Sequence, residues 1–124
     1  MVLDIPPALR VSQWYLTNLF PADSARLSFR LPHEVEALPD KSADLFVNIC
    51  SLQEMTHEHV ALWFAHIARL CRGHFYMKQY LEHRNDLDHI SVNRIDYPVL
   101  PGAAVVFDRL CPAFHSLFEV MYRF

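Results

Sequence analysis

The amino-terminal part of the chain alternates between short apolar stretches and a helical pattern. The chain begins with a very short apolar stretch, "MVLDIPP", which an acid and two prolines close, and the prolines suit the first turn of a helix. Apolar side chains then recur at helical spacing as far as Phe20, where Pro21 is expected to stop the helix. Residues 25–31 alternate well enough for a strand. This part of the chain is therefore predicted to fold as strand, helix and strand.

A second strand, helix and strand follow after a polar connection. Residues 44–50 are rich in Phe, Val and Ile and predict a buried strand. Thr56 is a good helix N-cap, and the apolar residues behind it keep the spacing of a helix that Gly73 is placed to end. Residues 74–80 predict the next strand. Two successive strand–helix–strand patterns predict a parallel sheet with helical crossovers.

The carboxy-terminal part predicts an antiparallel hairpin. Residues 82–98 are mostly polar and show little periodicity. Residues 103–109 and 117–123 then read as two strands, and the join between them shows no helical pattern. They are expected to pair antiparallel at one side of the sheet. The predicted fold class is α/β, with a mostly parallel sheet that ends in this hairpin, and residues 1–124 are assigned to one domain.

Composition narrows the class of protein. Hydrophobic residues make up 52% of the 124 positions and charged residues 20%, which is typical of a globular chain. The formal net charge of -3 gives no basic surface for nucleic acid, and no apolar run approaches the ~20 residues of a membrane span. Cys50, Cys71 and Cys111 are odd in number and form no CxxC pair, which indicates a reducing, cytoplasmic compartment.

Three polar side chains stand where the strand 44–50 ends: Ser51, Gln53 and Glu54. Ligands of open α/β sheets bind just beyond the carboxyl ends of the strands, so a binding site is expected here. The alternative is helix-entry chemistry, in which Ser51 and Glu54 satisfy backbone N–H groups ahead of the next helix. The residues themselves leave both interpretations open.

The segments "LDIPPALRVSQWYL", "DLFVNICSLQEM" and "LFEVMYRF" together resemble the sugar O-methyltransferase family, which belongs to the class I S-adenosylmethionine-dependent methyltransferases. The resemblance covers almost the whole chain in the expected order. It implies a Rossmann-like methyltransferase sheet in which residues 2–5, 44–50 and 74–80 correspond to the second, fourth and fifth strands. It also implies S-adenosylmethionine as the cofactor and methyl transfer to a sugar hydroxyl by direct displacement.

The same resemblance implies a role for Asp4, and the chemistry of methyl transfer predicts roles for the polar residues beyond strand 44–50. Asp4, at the end of the first strand, corresponds to the acid that accepts hydrogen bonds from the ribose hydroxyls of the cofactor. Ser51 is placed in the same cofactor site. Glu54 is the candidate to take the proton of the sugar hydroxyl, because a carboxylate can act as a general base. Gln53 is expected to orient the sugar through its amide.

Further candidates lie near the predicted substrate cleft. Lys78 and Gln79 stand near the end of their strand and are expected to line this cleft. His83 and His89 lie in the polar segment beside it, and either is a candidate general base, with His89 taken as the second catalytic residue. Solvated surface histidines are the alternative interpretation. The stretch "THEHV" is not HExxH, so no metal site is predicted.

The chain departs from the family at one element. The family's fold opens with a strand that leads into a glycine-rich loop, whose small residues let the backbone approach the cofactor. Gly73 and Gly102 are the two glycines of this chain, and neither lies in a GxG pattern. The chain is therefore expected to be a truncated, carboxy-terminal part of a longer enzyme that binds cofactor weakly by itself. The alternative is a non-catalytic domain with an interaction or structural role.

The missing strand also has a consequence for the sheet. In the family, the first strand lies between the second and the fourth, which correspond here to residues 2–5 and 44–50. An empty slot between them would leave buried backbone groups unpaired, and this is costly. Three arrangements are therefore expected as alternatives. The two segments pair directly, the protein self-associates through exposed strand edges, or the amino-terminal segment packs loosely.

Overall fold

Two compact units make up the chain, residues Met1–Leu38 and Pro39–Phe124. The computed structural model describes residues 1–86 and 89–124. Two α-helices lie among strands in the first part of the chain and further strands follow, so the protein has the mixed α/β character that the hydrophobic pattern predicted. Within the described residues, no helix is both long enough and apolar enough to cross a membrane.

The first unit is a parallel strand pair connected by a helix. β1 (Val2–Leu3) pairs in parallel with β2 (Phe29–Arg30), and α1 (Pro6–Leu19) lies between them in the chain. Prolines occupy the first turn of α1, where a backbone N–H would have no intrahelical partner. The helix ends where the N–H of Phe20 bonds the carbonyl of Leu16 at 2.9 Å, as the sequence predicted.

β2 is shorter than the strand predicted over residues 25–31. A 3₁₀ turn over Pro21–Arg26 occupies the beginning of that stretch. The turn contains an ion pair of 3.0 Å between Arg26 and Asp23. Pro, Asp and Ser all favour turns through their restricted backbone or short polar side chains, and here they override the alternating pattern.

The described residues of the second unit form the remaining strands. These are β3 (Ala43–Ile49), β4 (Cys71–Tyr80), β5 (Glu82–Asn85), β6 (Ile90–Asn93), β7 (Ala104–Leu110) and β8 (Leu117–Arg123). The main sheet has the order β3–β4–β8–β7, with β3 and β4 parallel and the other two pairings antiparallel. The expected hairpin of β7 and β8 is present. The prediction of a mostly parallel sheet is wrong, because β8 lies between β4 and β7 and runs against both.

β5 and β6 pair antiparallel inside the segment 82–98, where the sequence predicted no element. Each strand has four residues, and most of them are polar. Strands this short give too few alternations for a period to be recognised. Residues 87 and 88 of this segment lie outside the described part of the chain.

α2 (His57–Leu70) connects β3 to β4 and covers one face of the main sheet. Its N-cap is Thr56, as predicted, and the Thr56 hydroxyl accepts the N–H of His59 at 3.3 Å. Helix and strands bury a common apolar core, which includes Val60, Phe64, Ile67, Phe75, Met77 and Phe118. Each such side chain stabilises the folded state by roughly 1.5–3 kcal/mol through the apolar surface that it buries.

Lys41, which lies outside α2, caps the carboxyl end of this helix. Its backbone N–H bonds the carbonyl of Arg69 at 2.9 Å. Its Nζ bonds the carbonyls of Ala68 and Cys71 at 2.9 and 3.0 Å. These bonds satisfy carbonyl groups near the end of the last helical turn. The helix therefore stops before Cys71, and the prediction that Gly73 ends it is wrong.

β3 is an edge strand of the second unit. It pairs with β4 on one side, and no described strand pairs with its other side. Leu45, Val47 and Ile49 point to the sheet face opposite α2 and are 58%, 49% and 51% exposed. Direct pairing of residues 2–5 with residues 44–50 was one expected arrangement. β1 pairs with β2 inside the first unit, and pairing of residues 2–5 with residues 44–50 stays a prediction.

Gly73 provides a test of the β3–β4 packing. A Cβ on Gly73 would collide with the carbonyl oxygen of Asp44, beside the register shift of β3. Gly73→Ala must therefore push the two strands apart. We expect it to lower the free energy of unfolding by about 1–3 kcal/mol, measured by urea denaturation.

Gly102→Asn is the matched control for this substitution. No atom lies within 4 Å of the Cβ position of Gly102, so Asn meets no collision there, and its cost is the backbone strain of a φ of +76°, which Asn adopts more readily than most residues. The free energy of unfolding should fall by at most about 1 kcal/mol. Equal losses in the two variants would mean that Gly73 supplies backbone freedom and not strand approach.

Candidate functional site

The carboxyl ends of β3 and β4 meet at one edge of the main sheet, because the two strands run parallel. The N–H of Cys50 bonds the carbonyl of Lys78 at 2.8 Å just beyond the end of β3. Cys50 has a left-handed backbone conformation with a φ of 51°, which is uncommon for a residue with a side chain. The chain leaves the sheet there and forms a 3₁₀ turn over Leu52–Glu54. We call this place the polar edge.

A series of side-chain hydrogen bonds crosses the polar edge. Gln79 is fully buried, and its Nε2 donates to Oδ1 of Asn48 at 2.6 Å. Nδ2 of Asn48 donates in turn to Oγ of Ser51 at 2.6 Å. Because Oγ of Ser51 accepts this bond, its hydroxyl hydrogen is left to donate to another group. Oε1 of Gln79 is buried and has no hydrogen-bond partner among the described residues, so a donor would be favourable there.

Gln53 fastens the turn after β3 to the end of β4. Its side chain is buried, and Oε1 accepts the backbone N–H of Tyr80 at 3.0 Å. Its Nε2 lies 3.4 Å from Oε1 of Glu54, as a long hydrogen bond. The amide oxygen that the sequence analysis assigned to a sugar is therefore already engaged with the backbone.

Glu54 and His83 approach each other at the outer side of the polar edge. Oε1 of Glu54 lies 3.3 Å from Nε2 of His83, a residue of β5. The two atoms are close, but the buried Nε2 atom makes no aligned hydrogen bond in the described structure. The Glu54 side chain is 54% exposed and open to a ligand. A carboxylate beside an imidazole can accept a proton from a hydroxyl near neutral pH.

Tyr97 adds a hydroxyl group to the buried layer behind this edge. Burial raises the pKa of Tyr97 above its ordinary value, with smaller contributions from Cys50 and nearby carboxylates, so the hydroxyl is neutral. Its ring centroid lies 5.7 Å from that of Phe118, the ladder partner of Gln79. The hydroxyl oxygen is buried and has no partner in the described part of the chain. A buried donor in Tyr97 and a buried acceptor in Gln79 are thus both unpaired.

The other predicted residues lie elsewhere. Lys78 is next to Gln79 on β4 and points to the opposite face of the sheet, where Glu119 is its ladder partner. His89 is exposed in the turn between β5 and β6, with a φ of 54°. Asp4 belongs to the first unit, and its Oδ1 accepts the N–H of the following residue at 2.8 Å.

Four predicted residues meet at the polar edge: Ser51, Gln53, Glu54 and Gln79. The structure adds two that the sequence analysis did not select, Asn48 and Tyr97, and it brings His83, one of the two candidate general bases, to Glu54. Asn48 could have been selected from the sequence, because a side-chain amide inside an apolar strand needs a hydrogen-bond partner. His83 and His89 are equivalent candidates in the sequence, and only the pairing of β5 with β6 separates them. In the described ranges, no group of three or more His, Cys, Asp or Glu side chains could hold a metal ion.

A second polar cluster lies on the sheet face opposite α2, around Glu119. The carboxylate of Glu119 accepts Oη of Tyr76 at 2.8 Å and Nε of Arg109 at 2.7 Å. These two bonds hold the pKa of Glu119 below its ordinary value. Burial, and then the bond to Glu119, raise the pKa of Tyr76 to about 12. The three groups satisfy one another, so this cluster stabilises the sheet.

Comparison with known proteins supports the fold and not a function. No family model matches the chain, and no curated protein matches it. Among solved structures, the chain is similar to the PH0226 protein from Pyrococcus horikoshii OT3, with a TM-score of 0.71 and 13% sequence identity. The alignment covers 98% of this chain and 69% of that protein. At this identity the likeness shows a shared fold alone.

The Glu119 cluster generates a prediction about pH. The pKa of Glu119 is lower in the folded state than its ordinary 4.5, so its stabilising contribution is present above pH 4.5 and is lost as the pH falls through the folded-state pKa. The raised pKa of Tyr76 gives a contribution that is present below pH 10.0 and is lost as the pH rises toward 12. Glu119→Gln should therefore flatten the acid side of the stability profile.

Urea denaturation between about pH 3 and pH 7 measures this effect. Glu82→Gln is the control, because Glu82 is exposed on β5. It should leave the slope of stability against pH unchanged. An acid side that is equally steep in wild type and in Glu119→Gln would place the responsible carboxylate elsewhere.

Proposed function

We propose that this chain forms the acceptor-binding part of an S-adenosylmethionine-dependent O-methyltransferase that acts on a sugar hydroxyl. The observation that carries the proposal is the contact between Glu54 and His83, which lies with the Ser51 hydroxyl at the carboxyl ends of parallel strands. Ligands of α/β sheets bind at such ends. The antiparallel hairpin beside a parallel strand pair supports the Rossmann-like methyltransferase fold that the family resemblance implies.

Each group at the polar edge has a part in the proposed reaction. An acceptor hydroxyl must lose its proton as its oxygen attacks the methyl group that S-adenosylmethionine would supply. Glu54 is exposed and takes this proton, and His83 lies 3.3 Å away to receive it in turn. Oγ of Ser51 is held by Asn48, and the Ser51 hydroxyl donates a hydrogen bond to the oxygen of the acceptor sugar.

The described residues are not expected to hold S-adenosylmethionine by themselves. Gly73 lies inside β4 against the backbone of Asp44, and Gly102 has open space around it, so neither forms a backbone cradle at a strand end. Asp4 keeps one carboxylate oxygen for a ribose hydroxyl, since the other accepts the next backbone N–H. The proposed enzyme therefore needs further residues for its cofactor. The family resemblance is the basis for proposing a sugar as the acceptor. The cysteine usage is the basis for proposing a cytoplasmic location.

Glu54→Gln tests the catalytic part of the proposal. The substitution keeps the size of the side chain and removes its basic group. In a longer polypeptide that also carries a cofactor-binding strand and a glycine-rich loop, turnover should fall by a factor of ~10²–10⁴. Transfer of a labelled methyl group to a panel of sugars measures it.

The control for this experiment is Glu58→Gln, which changes an exposed carboxylate in the first turn of α2. Its turnover should stay within about twofold of wild type, since Glu58 is not placed in the reaction. If Glu54→Gln lowers only the free energy of unfolding and leaves turnover per folded molecule intact, Glu54 has a capping role and the proposed mechanism fails.

Cofactor binding by residues 1–124 alone is a separate prediction. Because neither glycine forms a cradle, isothermal titration calorimetry should give a Kd for S-adenosylmethionine above ~1 mM. S-adenosylhomocysteine should behave in the same way, and Asp4→Asn should cause no further loss. A micromolar Kd that Asp4→Asn weakens would mean that these residues bind the cofactor without a glycine loop.

A different observation favours a second function, that of a non-catalytic interaction module. β3 has no described partner strand at its outer edge, and Leu45, Val47 and Ile49 on it are half exposed. A sheet edge of this kind binds other strands through main-chain hydrogen bonds. This candidate function requires neither a cofactor nor catalysis by Glu54.

A further inference from the structure

The free edge of β3 presents both hydrogen-bonding groups and apolar side chains. In a parallel strand, the N–H and C=O of one residue point to the same neighbour, and those of the next residue point the other way. The N–H of Cys50 bonds the carbonyl of Lys78 on β4. The register of the two strands directs the backbone groups of Asn48, two residues earlier, to β4 as well. The backbone groups of Leu45, Val47 and Ile49 therefore point away from β4, to the free edge.

The middle of this edge lacks the features that usually prevent strands from pairing. Natural edge strands carry Lys, Pro, inward charges or bulges in their middle. β3 has a register shift between Ala43 and Leu45 and one charged residue, Asp44, both at its beginning, and the Asp44 carboxylate is 2.7 Å from Nε of Arg72. β7, the other edge strand of the same sheet, has a register shift between Val105 and Phe107 and also carries the charged pair Asp108 and Arg109. The two edges thus differ in the charges beyond the register shift, and β3 is the less protected one.

We propose that this edge binds a second copy of the chain, with β3 antiparallel to β3 of its partner. The proposal rests on the interaction function above. A two-fold axis perpendicular to the sheet passes beside Val47, so that Val47 faces its own copy and Leu45 faces Ile49 of the other chain. These residues share one sheet face, so apolar side chains meet apolar side chains across the new pair.

Charge favours the antiparallel direction. Asp44 lies three residues before the axis, so the two copies of Asp44 would be about 20 Å apart. A parallel, in-register pair would instead place the two carboxylates side by side, which is destabilising. The antiparallel pair joins Leu45, Val47 and Ile49 by about six main-chain hydrogen bonds, with all the outward groups used.

The size of this contact predicts the strength of the dimer. Interfaces carry about one hydrogen bond per 100–200 Å², so about six bonds correspond to roughly 600–1,200 Å² of buried surface. This lies at the lower end of specific interfaces, where association is weak and reversible. We therefore expect a monomer–dimer equilibrium with a Kd on the order of micromolar to tens of micromolar. The polar edge stays open, because the pairing uses the side of β3 and not its end.

Sedimentation velocity of the 124-residue chain at about 1–500 µM tests the proposal. The expected result is a concentration-dependent dimer. Val47→Lys should raise the Kd by at least about tenfold, because two like charges then face each other. Val106→Lys on the edge strand β7 is the matched control, since Val106 is 54% exposed; it should leave the Kd within about twofold. Circular dichroism confirms that both variants are folded.

Mixing two cysteine variants tests the register. Leu45→Cys and Ile49→Cys, each with Cys50→Ser, should form a disulfide-linked heterodimer under oxidising glutathione. Facing residues of a hydrogen-bonded pair have Cα atoms about 5.5 Å apart, which suits a disulfide. Leu45→Cys alone should not cross-link, because its two copies would be about 14 Å apart.

Three results would overturn the proposal. The first is a dimer that Val47→Lys and Val106→Lys weaken equally. The second is a monomer at every concentration whose Leu45, Val47 and Ile49 amides exchange rapidly with solvent; this removes the second copy as partner and leaves the interaction function standing. The third is a monomer whose same three amides are protected, since an edge that is already covered removes the interaction function as well.

Discussion

The parallel pairing of β3 with β4 is the constraint on which the second unit depends. Parallel neighbours need a long crossover connection, and α2 supplies it. The same helix buries its apolar side against the sheet, so the connection also forms the core. The strands approach closely where Gly73 meets the carbonyl of Asp44. Because the two strands point the same way, their carboxyl ends lie side by side and bring distant polar residues together.

Some side chains at the polar edge are held by hydrogen bonds, and other buried polar atoms there have no partner in the described structure. Gln53 holds the backbone of Tyr80, and the bonds from Gln79 through Asn48 fix the hydroxyl of Ser51. Buried polar atoms without partners are uncommon in folded proteins, because each one loses its bonds to water. Oε1 of Gln79 is such an atom here, together with the Tyr97 hydroxyl and Nε2 of His83 in the described structure. This pattern distinguishes the edge from the Glu119 cluster, whose groups satisfy one another.

The two faces and two edges of the main sheet have different chemistry. One face packs on α2 and is apolar throughout its centre. The other face divides between the charged cluster around Glu119 and the exposed apolar row on β3. Exposing an apolar row of this kind to water costs free energy, and the rest of the fold must offset that cost. The free edge is therefore the place of the proposed association, and the polar edge is the place of the proposed ligand site.

The sequence by itself determined the local elements. Helical periodicity, the prolines before α1 and the Thr56 cap located both helices, and apolar runs located β3, β4 and the final hairpin. It also placed Ser51, Gln53 and Glu54 just beyond a strand end. These features depend on interactions within a few residues, which periodicity and capping rules record directly.

Only the tertiary structure decided the order of the strands and the membership of the site. β8 lies between β4 and β7 through pairs such as Tyr76 with Met121, and His83 reaches Glu54 because β5 pairs with β6. Likewise, Gln79 meets Asn48 across the ladder, although the two are 31 residues apart. Such contacts join residues whose local patterns are independent of one another. A period in the sequence shows which face of a strand is buried, but it carries no information about which neighbour covers it.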